Sequence, residues 1–419
     1  MSLTQQNIEL WGDDIPWLAG LREKGLNAFK KLGFPKAKTE AWKYSYFSET
    51  ALDGLTIDNK PHECACNGDC HCSKVEKLPF SVINVSFCNG RAEVEHLELP
   101  KGLIVKTLAE AIYDKEARKY LNKSFDMEKF PFAALNTAYL EQGLFIVAEK
   151  NAVLNTPLLL SYHSHGQNLW QNVRNLIVVE NGAELTLLED FFGADNFYFN
   201  NMVNEIYIGT GAILKHYKRV KESSAAVHIA LNSVNIRQNG KYTAFCAQGE
   251  CKLARNETTV LLQQEGAETD VNGAYRLYKN GHSDITTNIK HLAAHTISNQ
   301  LVKGVLDGAS KGVFQGQIHI APDAQQTEGY QLHRALLLSD EAEVDCKPEL
   351  EIFADDVKCS HGATSGDLDK EQIFYMQTRG ISLEDARQIL IAAYLNEAFS
   401  KVENETIRRW LKAPLMLKH

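Results

Sequence analysis

Residues 351–380 read EIFADDVKCSHGATSGDLDKEQIFYMQTRG, and at this stretch the chain changes character: short alternating segments precede it and helical patterns follow. Apolar and polar residues alternate from Leu350 through Val357, and small turn residues follow at Gly362 and Gly366, which predicts a strand and a corner. Cys359 and His361 lie two residues apart. On an extended chain that spacing puts both on one face with Cα atoms roughly 6 to 7 Å apart, close enough to share a ligand where the face is open. The competing reading is a buried thiol beside a hydrogen-bonded core histidine. Asp355 and Asp356 are read as adjacent strand residues on opposite faces, which excludes a paired acid and base acting on one substrate.

Consecutive residues here resemble the SufB/SufD family of the SUF iron-sulfur cluster assembly machinery. They are KPELEI at Lys347–Ile352, ADDVKCSHGAT at Ala354–Thr364, and Phe374, Tyr375, Arg379 and Gly380. Further matches lie upstream in GFPKAKTEAWKYS (33–45), SNQLVKG (298–304), GVFQGQI (312–318) and LLLSDEAEVD (336–345), so the resemblance covers most of the chain. Gly362 stands where the SufB branch carries an acid after the motif histidine, which favours the SufD type. The resemblance implies a mainly β protein: a right-handed parallel β-helix core at 126–366, an N-terminal helical and mixed domain at 1–125, and a C-terminal helical domain at 367–419. It implies a noncatalytic scaffold subunit that pairs with a SufB-like subunit and binds a SufC-like ABC ATPase through the C-terminal helices, with Phe374, Tyr375, Arg379, Tyr394 and Phe399 as the docking residues. It also implies a transient iron-sulfur cluster at the partner interface, with His361 at the motif position and Cys359 beside it. Cys359 is expected to turn into the core as a small apolar filler.

Periodicity points the same way. Turn glycines at Gly182, Gly211, Gly240 and Gly266 are separated by 29, 29 and 26 residues, and strand-like runs follow each. Such a period with two or more strands per unit suggests a solenoid whose rungs bury their faces on one another, although sandwiches also show regular turns. His282, His291, His295, His319 and His333 collect in this region. His291 and His295 have a helical metal spacing, but Ile289–Leu301 reads as extended, which would part them by roughly 13 Å and prevent a shared ion.

Toward the N-terminus, Leu18, Leu21, Ala28, Phe29 and Leu32 form a helical stripe stopped by Gly33 and Pro35. Thr107 and Glu110 form a capping box that predicts a helix toward Leu121, and Phe80–Phe87 reads as a strand. Trp42, Lys43 and Tyr44 read as packing residues. An insert at 62–72 departs from the family pattern: Cys64, Cys66, Cys70 and Cys72, with His62 and His71, supply enough soft ligands for a tetrahedral ion such as zinc, although a mobile polar loop or an insert with incidental metal affinity reads equally from the tight spacing. At the C-terminal end, Asp369 caps a helix through Gln377, and Ser382 with Asp385 opens a second that is apolar almost all round from Ile389 to Leu395. That helix demands cover, from the core or from a partner.

The 419 residues carry a net charge of -9 with pI ≈ 5.9, which gives no electrostatic footprint for nucleic acid or an anionic membrane. No run approaches the ~20 apolar residues that span a bilayer. Nine cysteines, several scattered singly, suit a reducing cytoplasmic compartment. No phosphate-binding glycine loop occurs, since Ala309 breaks the pattern over Gly304–Lys311, so no nucleotide is expected on this chain. In isolation a homodimer is an open expectation. The alternatives are a metal-storage or metal-sensing protein built on a β-solenoid, and a β-helix enzyme; the missing carboxylate pair and secretion signal argue against the latter.

Overall fold

Paired strands recur along the chain in a two-strand unit, as in Tyr198–Ile208 then Ile213–Lys221, and Val227–Ile236 then Lys241–Gln248. In the computed structural model, which describes residues 10–46, 52–57, 78–95 and 97–416, the first strand of each unit joins one sheet and the second joins another. Neighbours along these sheets are parallel except for one antiparallel pair at the N-terminal end of each, so His228 sits beside Ala254 and His216 beside Ala244. This is a parallel β-solenoid, as the glycine period and the resemblance predict.

Side-chain alternation fills the space between the sheets. Inward residues such as Leu214, Tyr242, Val260 and Ile289 form one continuous buried cluster. In-register stacking also places like on like: Asn175 donates to Asn204 (3.0 Å), Asn204 to Asn232 (2.9 Å) and Asn232 to Thr258 (3.3 Å), a ladder in which each amide satisfies the next rung. The turns follow backbone sterics. Gly266 has φ +71, and a Cβ there would lie 2.0 Å from Asn239 Oδ1 of the preceding turn, so only glycine fits.

Among the described residues seven α-helices flank the solenoid: α1 (Pro16–Leu32), α2 (Leu108–Ala111), α3 (Lys115–Tyr120), α4 (Pro131–Ala138), α5 (Lys370–Thr378), α6 (Leu383–Phe399) and α7 (Glu405–Lys412). The Thr107 capping box forms as predicted, but its helix ends at Ala111 and a new one starts from the Asp114 cap. Gly33, at φ 66, stops α1. Trp42 is buried against Phe132 and lies under the Arg255 guanidinium, 4.1 Å from ring centroid to cation, so it is a packing residue. The strand Ile83–Cys88 pairs in parallel with Leu158–Ser164, and Leu103–Thr107 pairs antiparallel with Leu144–Ala148. Part of the first 125 residues therefore continues the solenoid sheets.

A buried ion pair fastens this region to the sheets. Arg174 Nη1 lies 2.8 Å from Glu205 Oε1 with both side chains fully buried. The Glu205 carboxylate also accepts from the backbone N–H groups of Asn122, Lys123 and Ser124 and from the Ser124 hydroxyl. Burial holds the Arg174 pKa below its ordinary value, against the opposing pull of Glu205.

Three local expectations are corrected. Asp355 and Asp356 lie in the exposed corner between strands Glu343–Ile352 and Val357–Gly366, not within a strand, while Gly362 and Gly366 lie in the latter strand. The segment Ile289–Leu301 is not continuously extended. It turns between strands His282–His291 and Ile297–Leu306, with His295 at φ 56.

Candidate functional site

The strands Glu343–Ile352 and Val357–Gly366 stand last in their sheets, each with a neighbour on one side only. They form the open end of the solenoid. In-register parallel neighbours share a face, so the last strand can be read from the one before it. Cys359 lies beside Gly329, His361 beside Gln331 and Ala363 beside His333. Gln331 and His333 are buried in the interior, which puts His361 on the inward line of a rung that no further rung covers. His361 is exposed and has no hydrogen-bond partner among the described residues.

Cys359, on the same face, is half-buried and packs with Leu350 and Val357 against Ile318, Ile320, Ala324 and Ala354. Gly329 makes the room: a Cβ there would stand 3.4 Å from the Cys359 sulfur and 3.3 Å from Ile318. Burial raises the thiol pKa, so Cys359 fills core space more readily than it forms a thiolate.

Just inside the opening is a pair that sequence reasoning missed. Cys346 Sγ lies 3.0 Å from His333 Nδ1, and His333 Nε2 lies 3.0 Å from the Tyr275 hydroxyl. The imidazole stacks on Phe314 at 5.1 Å and on Tyr275 at 6.0 Å. Burial pushes His333 down to about 4 and Cys346 up to about 11, so the pair is neutral at pH 7. A neutral ring has one donor and one acceptor nitrogen, so a thiol donating to Nδ1 leaves Nε2–H to donate to Tyr275. The two residues are 13 apart and join only through the register.

The other histidines separate. His291 is buried, with its two nitrogens 2.8 Å from Thr296 and Ser298 hydroxyls, while His295 is exposed and lies 3.6 Å from Glu265. They share no ion site. His319 lies 3.1 Å from Glu351. His282, 3.1 Å from the Ser45 hydroxyl, is lowered to about 4 by burial, and His291 to about 3. The sign follows from proton binding: these rings take protons near 6.5 when unfolded but only near 3 to 4 when folded. Stability is therefore expected to fall as pH drops from 6.5 toward 4. Denaturant midpoints at pH 7 and pH 5 test this; a His291→Asn variant with an undiminished pH dependence would remove His291 from the account.

At the C-terminal side, Asp369 caps α5 through the N–H groups of Glu371 and Gln372, and Ser382 caps α6 through Asp385. No residue of α5 is buried; Phe374 and Tyr375 are 68% and 60% exposed. Arg379 holds Tyr375 in place, Nη2 to hydroxyl 3.0 Å with the guanidinium 5.0 Å over the ring. These aromatics line a groove of about 980 Å³ with Met376 and Leu390. The two other expected docking residues differ. Phe399 is fully buried, stacked on Phe245 of the solenoid at 4.9 Å, and cannot meet a partner. Tyr394 is half-buried, its ring 4.0 Å beneath the Lys303 ammonium, whose Nζ donates to the Tyr394 carbonyl. The solenoid wall supplies the cover α6 demands, through Ile391, Leu395, Ala398 and Phe399.

The insert residues His62, Cys64, Cys66, Cys70, His71 and Cys72 lie outside the described residues. Among the described residues no group of three or more His, Cys, Asp or Glu side chains is placed to hold a metal ion, and no helix is long and apolar enough to cross a membrane.

The chain is thus a parallel β-solenoid that presents His361 on the inward line of its open last rung. The chain belongs to the SufBD family: residues 162–394 match the model described as "SUF system FeS cluster assembly, SufBD core domain", and residues 3–160 match the SufBD protein N-terminal region. It is 28% identical over 93% of its length to the iron-sulfur cluster assembly protein SufD of Escherichia coli, covering 90% of that protein. A SufBD family protein of Synechocystis is also 28% identical, over 93% of this chain and 89% of the relative. The chloroplastic protein ABCI7 of Arabidopsis thaliana is 38% identical over 57% of this chain and half of its own length. The family places the chain in iron-sulfur cluster assembly, in line with the resemblance carried by residues 347–364.

Proposed function

We propose that the chain is a noncatalytic, SufD-type scaffold subunit whose open solenoid end pairs with a SufB-like subunit, a nascent iron-sulfur cluster being the cargo held at that joint. The observation that carries this reading is His361, exposed and unpartnered on the inward line of the terminal rung. Its imidazole offers a nitrogen ligand that, combined with thiolates from a partner, raises cluster potential and eases ligand exchange. A scaffold must release what it builds. The terminal strands add two unpaired edges and the exposed side chains of Ile352 and Phe353, a combination that favours pairing with another chain. Coexpression with SufB-like and SufC-like counterparts should yield one complex on size exclusion; recovery of this chain alone at mild ionic strength would overturn the scaffold reading.

The exposed α5 surface supports docking of a SufC-like ATPase. Truncation after Thr378 is a poor probe, because it would strip α6 from Phe245, Leu301 and Leu188 and damage the solenoid wall. A Phe374→Asp, Tyr375→Ser double variant leaves that wall intact. It should lose the ATPase in a pull-down, by about tenfold or more as expected for buried aromatic anchors, while retaining the SufB-like subunit. Undiminished ATPase capture would move the docking surface elsewhere.

A further inference from the structure

Beside α3, the sheet that contains Tyr198–Ile208 carries a cleft that the assembly reading does not use. It measures about 550 Å³, within the range of small-molecule sites, and is walled by α3 and by the ends of successive rungs. Four cations line it: Lys119, Lys123, Lys150 and Arg237. Lys119 is engaged with Glu116 at 2.6 Å. The side chains of Lys123, Lys150 and Arg237 have no carboxylate partner among the described residues, and Glu180 is the one acid in the lining. On a chain of net charge -9 this is a local reversal of sign.

A second observation is independent of the charges. Asn235 lines the cleft at 8% exposure; its Oδ1 accepts from Gln263 Nε2 at 3.0 Å, and its buried Nδ2 has no partner. A buried donor left unsatisfied costs free energy that an acceptor in the cleft would recover. The walls are also fixed before any ligand arrives. Glu205 holds the backbone N–H of Lys123 at 3.1 Å, and the Tyr207 hydroxyl donates to the Tyr120 carbonyl at 2.7 Å.

We propose that this cleft binds a compact phosphate-bearing anion, with Lys123, Lys150 and Arg237 supplying charge and the Asn235 side chain turning its buried Nδ2 outward to donate to a phosphate oxygen. Arginine and lysine around a neutral amide donor match the several acceptor oxygens of such a group. The source is either a free inorganic anion or a phosphorylated small molecule, and two probes separate them.

Calorimetric titration of the full chain with pyrophosphate and with a sugar bisphosphate should give saturable binding of at least one. Pyrophosphate binding identifies a free anion, and binding of the bisphosphate alone identifies an ester; either outcome supports the site. Lys123→Ala combined with Arg237→Ala should weaken the bound probe by about tenfold or more, while Lys36→Ala combined with Lys38→Ala, an equal charge loss on an exposed loop outside the cleft, leaves it unchanged. As a check without any variant, the bound probe should protect Lys123 and Lys150 from acetylation, read by mass spectrometry. Absence of saturable binding to both probes, equal weakening by the Lys36→Ala, Lys38→Ala pair, or undiminished acetylation would overturn the proposal.

Discussion

Replacing His361 by alanine is expected to leave the fold and the complex with SufB-like and SufC-like partners intact while cutting cluster loading by on the order of tenfold or more, as loss of a metal ligand does. The fold is spared because His361 is exposed and has no partner among the described residues, so its removal opens no cavity and orphans no buried group. Iron and sulfide content of the reconstituted complex, read beside its size-exclusion profile, decides the matter. Normal loading would end the ligand assignment, and dissociation would make the histidine an interface residue instead. Cys359→Ala gives the contrast. Its sulfur packs among Ile318, Ile320 and Ala354, so the change should lower stability by about 1 kcal/mol, the scale of one small core deletion, and leave loading near normal.

Glu205→Ala should cost about 3 to 5 kcal/mol of unfolding free energy, the range for breaking a buried pair from one side. The loss exceeds one ion pair in kind, because Arg174 is left charged at 0% exposure and three backbone donors at Asn122, Lys123 and Ser124 lose their acceptor together. Urea denaturation measures it. A loss below about 1 kcal/mol would mean that Arg174 finds water or another acceptor, as surface pairs do.

The fold was legible because the solenoid writes its period into the chain: glycines 29, 29 and 26 residues apart mark its turns, with Gly182, Gly211 and Gly266 at positive φ and Asn239 taking that conformation beside Gly240. Caps were legible for the same local reason, in Asp369, Ser382 and Thr107, whose side chains reach N–H groups two or three residues away. What escaped was whatever depends on register. His333 and Cys346 appear in the sequence as one histidine among several and one scattered thiol; only the placing of strands Thr327–Leu337 and Glu343–Ile352 in two different sheets whose inward faces meet brings them together. Phe399 escaped because an apolar helix looks alike from every side, and the sequence does not say which face meets Phe245. His361 was found through its motif; its exposure followed from the position of its strand at the end of the sheet.

The two ends of the solenoid are unequal, and this bears on how large an assembly can grow. At the far end the sheets finish in short antiparallel strands, Arg91–Glu93 and Leu103–Thr107, whereas the open end shows parallel strands of 10 residues each. An incoming ten-residue parallel edge finds no matching template on a three- or five-residue strand running the other way. Joining through the open ends, as proposed, would therefore close after two solenoids, with no matching edge for a third among the described strands. Under the proposed pairing, the described strands at the far end offer no matching edge on which two long β-edges could seed a fibre.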